Sequence, residues 1–352
     1  MASPFSDEKF FHTLLSKAVA GKASDVHVKV GQPPGARIRG EMIYFRTERI
    51  TAEDGEAVAR IVITSEDVRS RLHELKEYDT SYHAAGIGRF RVNVYRQRGT
   101  LAVVMRFIPS DIPTMEALGL PMPVTRELAE RQNGMVLVVG AAGNGKSTSV
   151  ASMVGHLNGT QALHIVTVED PIEFLHGDQM SSISQREVGL DTASFAAALR
   201  AALRQDPDVI FVGEIRDEET MEIALKAAET GHLVMATLHT SDAVRTVNRM
   251  IALMRGDATE NRMRVASCLQ GIIAQRLLPR ADGNGVVLAA EVLVASHSVK
   301  ESIRHPDNNP SLKSLMEKGA HPYGMKTFHI SVAKLLEQGF IDEATATEAT
   351  GS

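Results

Sequence analysis

The sequence contains 352 residues, of which 43% are hydrophobic and 23% are charged. This composition is typical of a folded globular protein rather than a disordered chain. The length predicts two domains of roughly 100–200 residues each. The net charge of -5 gives no general attraction for phosphate backbones, so no nucleic-acid partner is expected.

The cysteine count and the hydropathy pattern restrict the compartment. Cys268 is the only cysteine, which excludes a disulfide framework and a cysteine-ligated zinc site. No stretch approaches the ~18 consecutive apolar residues that a membrane span needs. The first residues carry charge at Asp7, Glu8 and Lys9 and do not resemble a signal peptide. We therefore predict a cytoplasmic protein whose contact with a membrane is peripheral.

The first part of the chain, residues 1–108, is predicted to be a mixed α+β domain. A helix is expected over 10–20. Alternation with a period of two predicts strands over 89–95 and 101–107. The two strands would form a hairpin that displays Arg89 and Arg91 from one strand and Arg106 from the other.

A linker is predicted over 109–123, where four prolines interrupt regular structure. Residues 124–352 follow as a second domain. Short apolar runs recur there between helical stretches, and runs of this kind are typical of strands buried on both faces of a parallel sheet. These runs cover 135–139, 165–168, 209–212 and 233–237. The second domain is therefore predicted to be α/β.

The last part of that domain is predicted to be mostly helical after about residue 254. A helix is expected over 262–273, and the turn 282–285 is expected to join a pair of strands. Residues 343–352 are small and polar, and we expect them to be frayed.

Residues 140–147 match the phosphate-loop pattern G-x-x-x-x-G-K-[ST] directly after an apolar strand. A helix is predicted next, because apolar residues follow at helical spacing. Backbone N–H groups of such a loop bind phosphates, Lys146 reaches the β- and γ-phosphates, and Ser147 is suited to hold Mg²⁺. The residues expected to bind ATP are Gly140, Gly143, Asn144, Gly145, Lys146, Ser147 and Thr148.

Two further apolar runs end in carboxylates. The run 165–168 leads into an acidic segment, 169–173, and the run 209–212 leads into Gly213 and Glu214. Ligands of open α/β sheets bind at the carboxyl ends of strands, so these acids should face the nucleotide. Two nearby arginines, Arg204 and Arg216, are expected to pair with Asp206 and Asp217.

Several segments together resemble the secretion and pilus motor ATPases of the type II/IV secretion superfamily, most closely the PilT-like type IV pilus retraction ATPases. They are an aspartate box (167–174), an atypical Walker B segment (206–217), histidine motifs (230–233 and 237–240) and an N-terminal signature (23–27). The resemblance covers nearly the whole chain. It implies a RecA-like P-loop ATPase core preceded by a smaller PAS-like α+β domain.

The resemblance also implies roles for single residues. Glu173 would be the general base or water-polarising group, and Glu214 would complete the Mg²⁺ site with Ser147. His232 and His239 would lie near the γ-phosphate or at a subunit boundary. Catalytic arginines of this family come from the N-terminal hairpin, which implicates Arg91 and Arg106.

The implied function is an ATP-hydrolysing ring motor, a homohexamer, that powers pilus retraction and twitching motility. Its partners would be an inner-membrane pilus platform protein and a second retraction ATPase. An assembly or secretion ATPase of the same superfamily, and a non-hydrolysing partner of such a motor, stay open as alternatives. The chain departs from the family at Asn144, where serine is usual, and residues 299–304 match the retraction helix motif only in part.

Overall fold

The computed structural model describes residues 4–109 and 111–351, and the chain divides into two compact units between residues 110 and 111. A 3-10 turn, Pro4–Ser6, opens the first unit. Its helices are α1 Glu8–Ala20, α2 Ala52–Val62 and α3 Glu66–Ser70. Its strands are β1 Ala23–Val28, β2 Gly35–Ile38, β3 Glu41–Tyr44, β4 Glu77–Ala84, β5 Gly88–Gln97 and β6 Thr100–Ile108.

The strands of the first unit form an antiparallel sheet in the order β3-β2-β1-β6-β5-β4. The predicted hairpin is confirmed as β5 and β6, which place Arg91 directly opposite Arg106. Apolar side chains of α1 and α2, including Phe11 and Val58, are buried in one core with the apolar positions of these strands. The alternation of the sequence follows from this one-sided burial.

The second unit contains the remaining elements. Its helices are α4 Val124–Ala129, α5 Lys146–Thr160, α6 Phe195–Ala202, α7 Glu218–Glu229, α8 Ala243–Leu253, α9 Ala258–Cys268, α10 His297–Arg304, α11 Leu312–Lys318, α12 Phe328–Glu337 and α13 Glu343–Thr350. Its strands are β7 Gly134–Val139, β8 His164–Glu169, β9 Ser182–Glu187, β10 Val209–Val212, β11 Leu233–Leu238, β12 Leu269–Pro279 and β13 Val286–Val294. A 3-10 turn, Pro306–Asn308, precedes α11.

The second sheet has the order β13-β12-β7-β11-β10-β8-β9. Neighbouring strands are parallel except for β13, which is antiparallel to β12. Every residue of β7, β10 and β11 is buried, as the continuous apolar runs predict. Because parallel strands end at one edge, the carboxyl ends of β7, β11, β10 and β8 meet there.

Residues 111–123 belong to the second unit, and Met115 and Leu120 are buried in its core. Two predictions about secondary structure differ from the structure. The helix expected over 262–273 ends at Cys268, because the next apolar residues pair with β7 as β12. The tail is not frayed over 343–350, since Asp342 caps α13 and Ala346 is buried. The assignment of 1–108, 109–123 and 124–352 as domain and linker stays a prediction.

The C-terminal helices are fastened to β12. The Arg276 guanidinium lies 4.1 Å from the centre of the Phe328 ring of α12. It also donates to the Ala349 carbonyl oxygen of α13 at 2.6 Å. Stacking and charge-assisted hydrogen bonding together explain why a short polar segment holds its helical form. In the described part of the chain, no helix has the length and apolar character needed to cross a bilayer.

We expect Leu157→Ala to lower the free energy of unfolding by about 2–5 kcal/mol, because its side chain is buried in the core between α5 and the sheet. Leu190→Ala is the matched control, since Leu190 is 38% exposed. Chemical denaturation followed by circular dichroism measures both. Equal losses in the two variants would contradict this account of the core.

Candidate active site

The phosphate loop lies between the end of β7 and the start of α5. Gly140 has a φ of 153°, and a side chain there would place Cβ 2.6 Å from the Gln275 carbonyl oxygen. Gly145 is the residue before α5 and adopts the left-handed region, with a φ of 74°. Glycine is required at the first position by space and favoured at the second by backbone conformation. The spacing of glycines in the sequence therefore has a direct structural cause.

Lys146 and Ser147 begin α5, where unpaired N–H groups and the helix dipole favour an anion. The Lys146 side chain is buried and donates to the Ala141 carbonyl oxygen at 3.0 Å. Burial lowers the pKa of Lys146, while the charges of Glu214 and Glu173 oppose the shift. These acids therefore offset part of the cost of burying the Lys146 ammonium group at the phosphate loop.

His239 connects the loop lysine to the acid at the end of β10. Its Nδ1 lies 3.4 Å from Lys146 Nζ, and its Nε2 lies 3.0 Å from Glu214 Oε1. Because an ammonium group can only donate, Nδ1 accepts and the ring carries a proton on Nε2. The other Glu214 oxygen lies 2.8 Å from Arg216. The strand ends thus support a continuous chain of polar contacts, from Lys146 through the neutral His239 ring and Glu214 to Arg216.

A second acid, Glu169, ends β8 and is only 7% exposed. Its Oε1 accepts hydrogen bonds from Thr167 at 2.7 Å and from Gln185 at 3.1 Å. The Glu173 N–H approaches its Oε2 at 3.4 Å. Burial raises the pKa of Glu169 to about 7, although these hydrogen bonds act against the shift.

Gln185 of β9 anchors the segment that carries Glu173. Besides its bond to Glu169, Gln185 Nε2 donates to the Phe174 carbonyl oxygen at 2.9 Å. Its Oε1 accepts from the His176 N–H at 2.8 Å. One side chain therefore holds both the end of β8 and the backbone after Glu173, and the exposed Glu173 side chain lines the cavity.

The cavity at this edge has a volume of about 460 Å³. It is lined by predicted residues of the loop and of the strand ends, namely Gly143, Gly145, Lys146, Ser147, Thr148, Glu173, Glu214 and His239. The sequence places Glu169 among the strand-end acids expected to face the nucleotide but gives it no role of its own, and it indicates no site role for Gln185 or Arg216. Arg216 was expected to pair with Asp217, but Asp217 caps α7 and Arg216 pairs with Glu214. Arg204, which was expected to pair with Asp206, instead donates to the Arg200 carbonyl oxygen.

Three of the predicted catalytic residues lie elsewhere. His232 precedes β11, at the edge of the sheet opposite the phosphate loop, and its ring contacts the Ala227 carbonyl oxygen at 3.0 Å. It therefore does not reach this cavity, and a role at a subunit boundary stays a prediction. Arg91 and Arg106 belong to the first unit, where both are exposed. Arg106 Nε contacts Asp25 at 2.9 Å, which offsets the repulsion between the paired arginines.

The residues present fit a Mg²⁺–nucleotide rather than a metal held by protein alone. Among the described residues, no group of three or more His, Cys, Asp or Glu side chains could hold a metal ion. Mg²⁺ commonly binds through one or two protein groups, phosphate oxygens and water. The Ser147 hydroxyl and the Glu214 carboxylate line the same cavity and have the oxygen chemistry that this ion prefers.

A phosphate loop on a parallel sheet, with acids at the neighbouring strand ends, defines a P-loop nucleoside triphosphatase. The family model described as "Type II/IV secretion system protein" matches residues 5–310, and the chain belongs to this family of ATPases. The chain is 37% identical to the type IV pilus "retractation" ATPase PilT of Pseudomonas aeruginosa, over 95% of this chain and 96% of that protein. It is 40% identical to a twitching motility protein of Neisseria gonorrhoeae, over 91% and 85%.

A solved structure gives the same result. The crystal structure of the pilus retraction motor PilT with bound ADP has a TM-score of 0.87 and 43% sequence identity, and 97% of each chain is covered. The likeness extends over both units of the chain. The predicted fold class, a P-loop ATPase core with a smaller N-terminal α+β domain, is thereby confirmed.

We expect Gln185→Leu to lower kcat for ATP by roughly 10- to 100-fold, because the Glu173 segment loses its anchors and small misplacements of catalytic groups are costly. ADP affinity should change less than about twofold, since the loop is untouched. Gln205→Leu, at an exposed glutamine of the same unit, is the matched control. Steady-state kinetics and ADP titration separate the two effects; an unchanged kcat would show that Gln185 does not position Glu173.

The raised pKa of Glu169 gives a pH dependence of stability. Its folded pKa of about 7 lies above its ordinary 4.5, so the folded protein holds this proton more tightly than the unfolded chain. The contribution is fully present below about pH 4.5 and is lost as pH rises through 7. In denaturant titrations from pH 5 to 8, wild type should lose stability relative to Glu169→Gln. Glu173→Gln, which retains Glu169, should follow the wild type; parallel curves for wild type and Glu169→Gln would contradict the assignment.

Proposed function

We propose that this protein is a Mg²⁺-dependent ATPase that powers type IV pilus retraction, and with it twitching motility, as a ring motor. One observation carries the proposal: Lys146, His239 and Glu214 form a continuous contact chain beside Glu173 in one cavity. The chain's likeness to a pilus retraction motor over nearly its whole length supports the retraction role.

The residues of the cavity have separate roles in ATP hydrolysis in this proposal. The loop from Gly140 to Thr148 binds the phosphates, with Lys146 opposite the β- and γ-phosphates. Ser147 and Glu214 would hold Mg²⁺, which neutralises charge on the phosphate oxygens when it is bound. Glu173 is free to orient the attacking water and to take its proton, because its carboxylate is exposed in the cavity while its N–H is held by Glu169.

Arginines of a neighbouring copy complete the site in this proposal. Arg91 and Arg106 are exposed on the sheet of the first unit, and the Arg106 side chain is 70% exposed despite its bond to Asp25. Burial acts to raise the pKa of Asp25, but the hydrogen bonds from Ser24 and Arg106 outweigh it and the pKa is lowered. Asp25 therefore keeps the Arg106 guanidinium on the exposed face of the sheet, from which it would turn to contact a phosphate bound by a neighbouring copy. A homohexameric ring would supply such arginines to each site, and His232 would lie at its subunit boundaries.

The motor would act on the cytoplasmic side of the inner membrane. There it would bind a pilus platform protein, with a second retraction ATPase as a further partner and no nucleic acid. The net charge of -5 gives no general attraction for nucleic acid, and among the described residues no helix could span a membrane. An assembly or secretion ATPase, or a non-hydrolysing partner, would require a different outcome in the experiments below.

We expect Glu214→Ala and Glu173→Gln to lower ATP turnover by at least about 100-fold while nucleotide binding stays within about threefold, since the phosphate loop, which binds the phosphates, is unchanged in both variants. Glu337→Gln, at an exposed position of α12, is the matched control and should keep wild-type turnover. Light scattering in the same buffer should give the mass of a hexamer. A wild-type monomer that binds ATP without turnover would favour the non-hydrolysing alternative.

The cellular test separates retraction from assembly or secretion. Deletion of the gene in the organism that encodes it should leave pili on the surface and abolish twitching. Complementation by wild type, but not by Glu214→Ala, should restore motility. Loss of surface pili on deletion would instead identify an assembly ATPase.

A further inference from the structure

Strand β12 extends beyond its neighbour β7. The last residues that the two strands pair are Ala274 and Val139, but β12 continues to Pro279. We call residues 275–279 the β12 overhang. On one side the β12 overhang pairs with β13, up to Pro279 opposite Val286. On its other side the phosphate loop takes the place that a strand would occupy.

Three contacts join the β12 overhang to the phosphate loop and its helix. At the start of the loop, Gly140 lies so close to Gln275 that a Cβ would be 2.6 Å from its carbonyl oxygen. In the first turn of α5, the Ser149 hydroxyl accepts from Gln275 Nε2 at 2.7 Å. Between them, Asn144 Oδ1 accepts from the Leu277 N–H at 2.9 Å. The loop is therefore fixed at its start, its middle and its end.

Of these three contacts, only the Asn144 contact is made by a side chain of the phosphate loop. Asn144 lines a second cavity, of about 570 Å³, together with Gly145, Thr148 and Arg280, and it does not line the catalytic cavity. Its amide thus faces away from the phosphates. Because β7 has already ended, the Asn144 oxygen also satisfies a strand N–H on this side of β12, and an unsatisfied one would be costly.

We propose that Asn144 is a positioning residue that, through the Leu277 N–H, holds the phosphate loop in its nucleotide-binding conformation and thereby sets nucleotide affinity. A loop that is already ordered loses less conformational freedom when a ligand binds. The inference rests on the proposed function only in taking nucleotide as the ligand of the loop. A serine at this position has a side chain one bond shorter and would not reach Leu277 without a shift of the loop.

The test measures binding of a fluorescent ADP analogue to the full chain. Asn144→Ala and Asn144→Ser should each weaken binding by about fivefold, the equivalent of ~1 kcal/mol for one lost hydrogen bond. KM for ATP should rise by a similar factor while kcat stays within about twofold, because the contact serves substrate and transition state alike. The melting temperature without nucleotide should fall by only about 2–4 °C, because the Leu277 N–H loses its acceptor.

Two further variants make the result specific. Asn144→Asp keeps the accepting oxygen and the shape of the side chain, so binding in about 0.5 M salt, where charge repulsion is screened, should return to within about twofold of wild type. Asn284→Ala changes an exposed asparagine in the turn of the same hairpin and should bind as wild type does.

Wild-type affinity in Asn144→Ala would overturn the inference, as would an Asn144→Asp variant as weak as Asn144→Ala. A lower melting temperature with unchanged affinity would give Asn144 a purely structural role and would also overturn it. If the wild-type protein binds no ADP analogue, the proposed function fails first, and the two failures are thereby distinguished.

Discussion

The site depends on one constraint: four neighbouring strands of the second sheet run in the same direction. Because β7, β11, β10 and β8 are parallel, their carboxyl ends meet at one edge, and each contributes a different group there. The loop follows β7, His239 follows β11, Glu214 follows β10, and Glu169 ends β8. These residues are far apart in the chain, so only the direction of the strands brings them together. The buried apolar runs that stabilise the sheet therefore also assemble the site.

The buried charged groups at this edge of the sheet are stabilised by neighbouring protein groups rather than by solvent. Lys146 is buried, and the neighbouring acids oppose the lowering of its pKa by burial. Glu169 differs from Lys146, because hydrogen bonds rather than an opposite charge stabilise it. Three donors contact this buried acid, and among the described residues no cation lies close to it. It organises the segment of Glu173 instead of meeting the phosphates. Glu169 and Glu173, though four residues apart, thus have different tasks because one is buried and the other exposed.

Much of this arrangement could be predicted from sequence because the signals are local. The glycine spacing of the loop and the buried runs of β7, β8, β10 and β11 each appear within a few consecutive residues. The acids at the strand ends were predicted from the same local pattern together with the general rule for open sheets.

Other features depend on tertiary contacts and could not be predicted from the sequence. Gln185 acts on Glu173 from a neighbouring strand, and nothing in its own segment indicates that. Arg216 pairs with Glu214 because Asp217 is occupied as the cap of α7. The apolar positions 269–273 have a spacing that a helix would share, and only pairing with β7 makes them a strand. His232 lies within a motif-like segment, but the direction of β11 places it at the far edge.

The fastening of the C-terminal helices has a mechanical consequence. Arg276 carries the contacts to Phe328 and Ala349, and its neighbour Leu277 carries the contact to Asn144. A single planar peptide unit, which resists twisting, separates the two attachment points. The Arg276 side chain, this peptide unit and the Asn144 side chain therefore form one short path of contacts from the last helix to the phosphate loop.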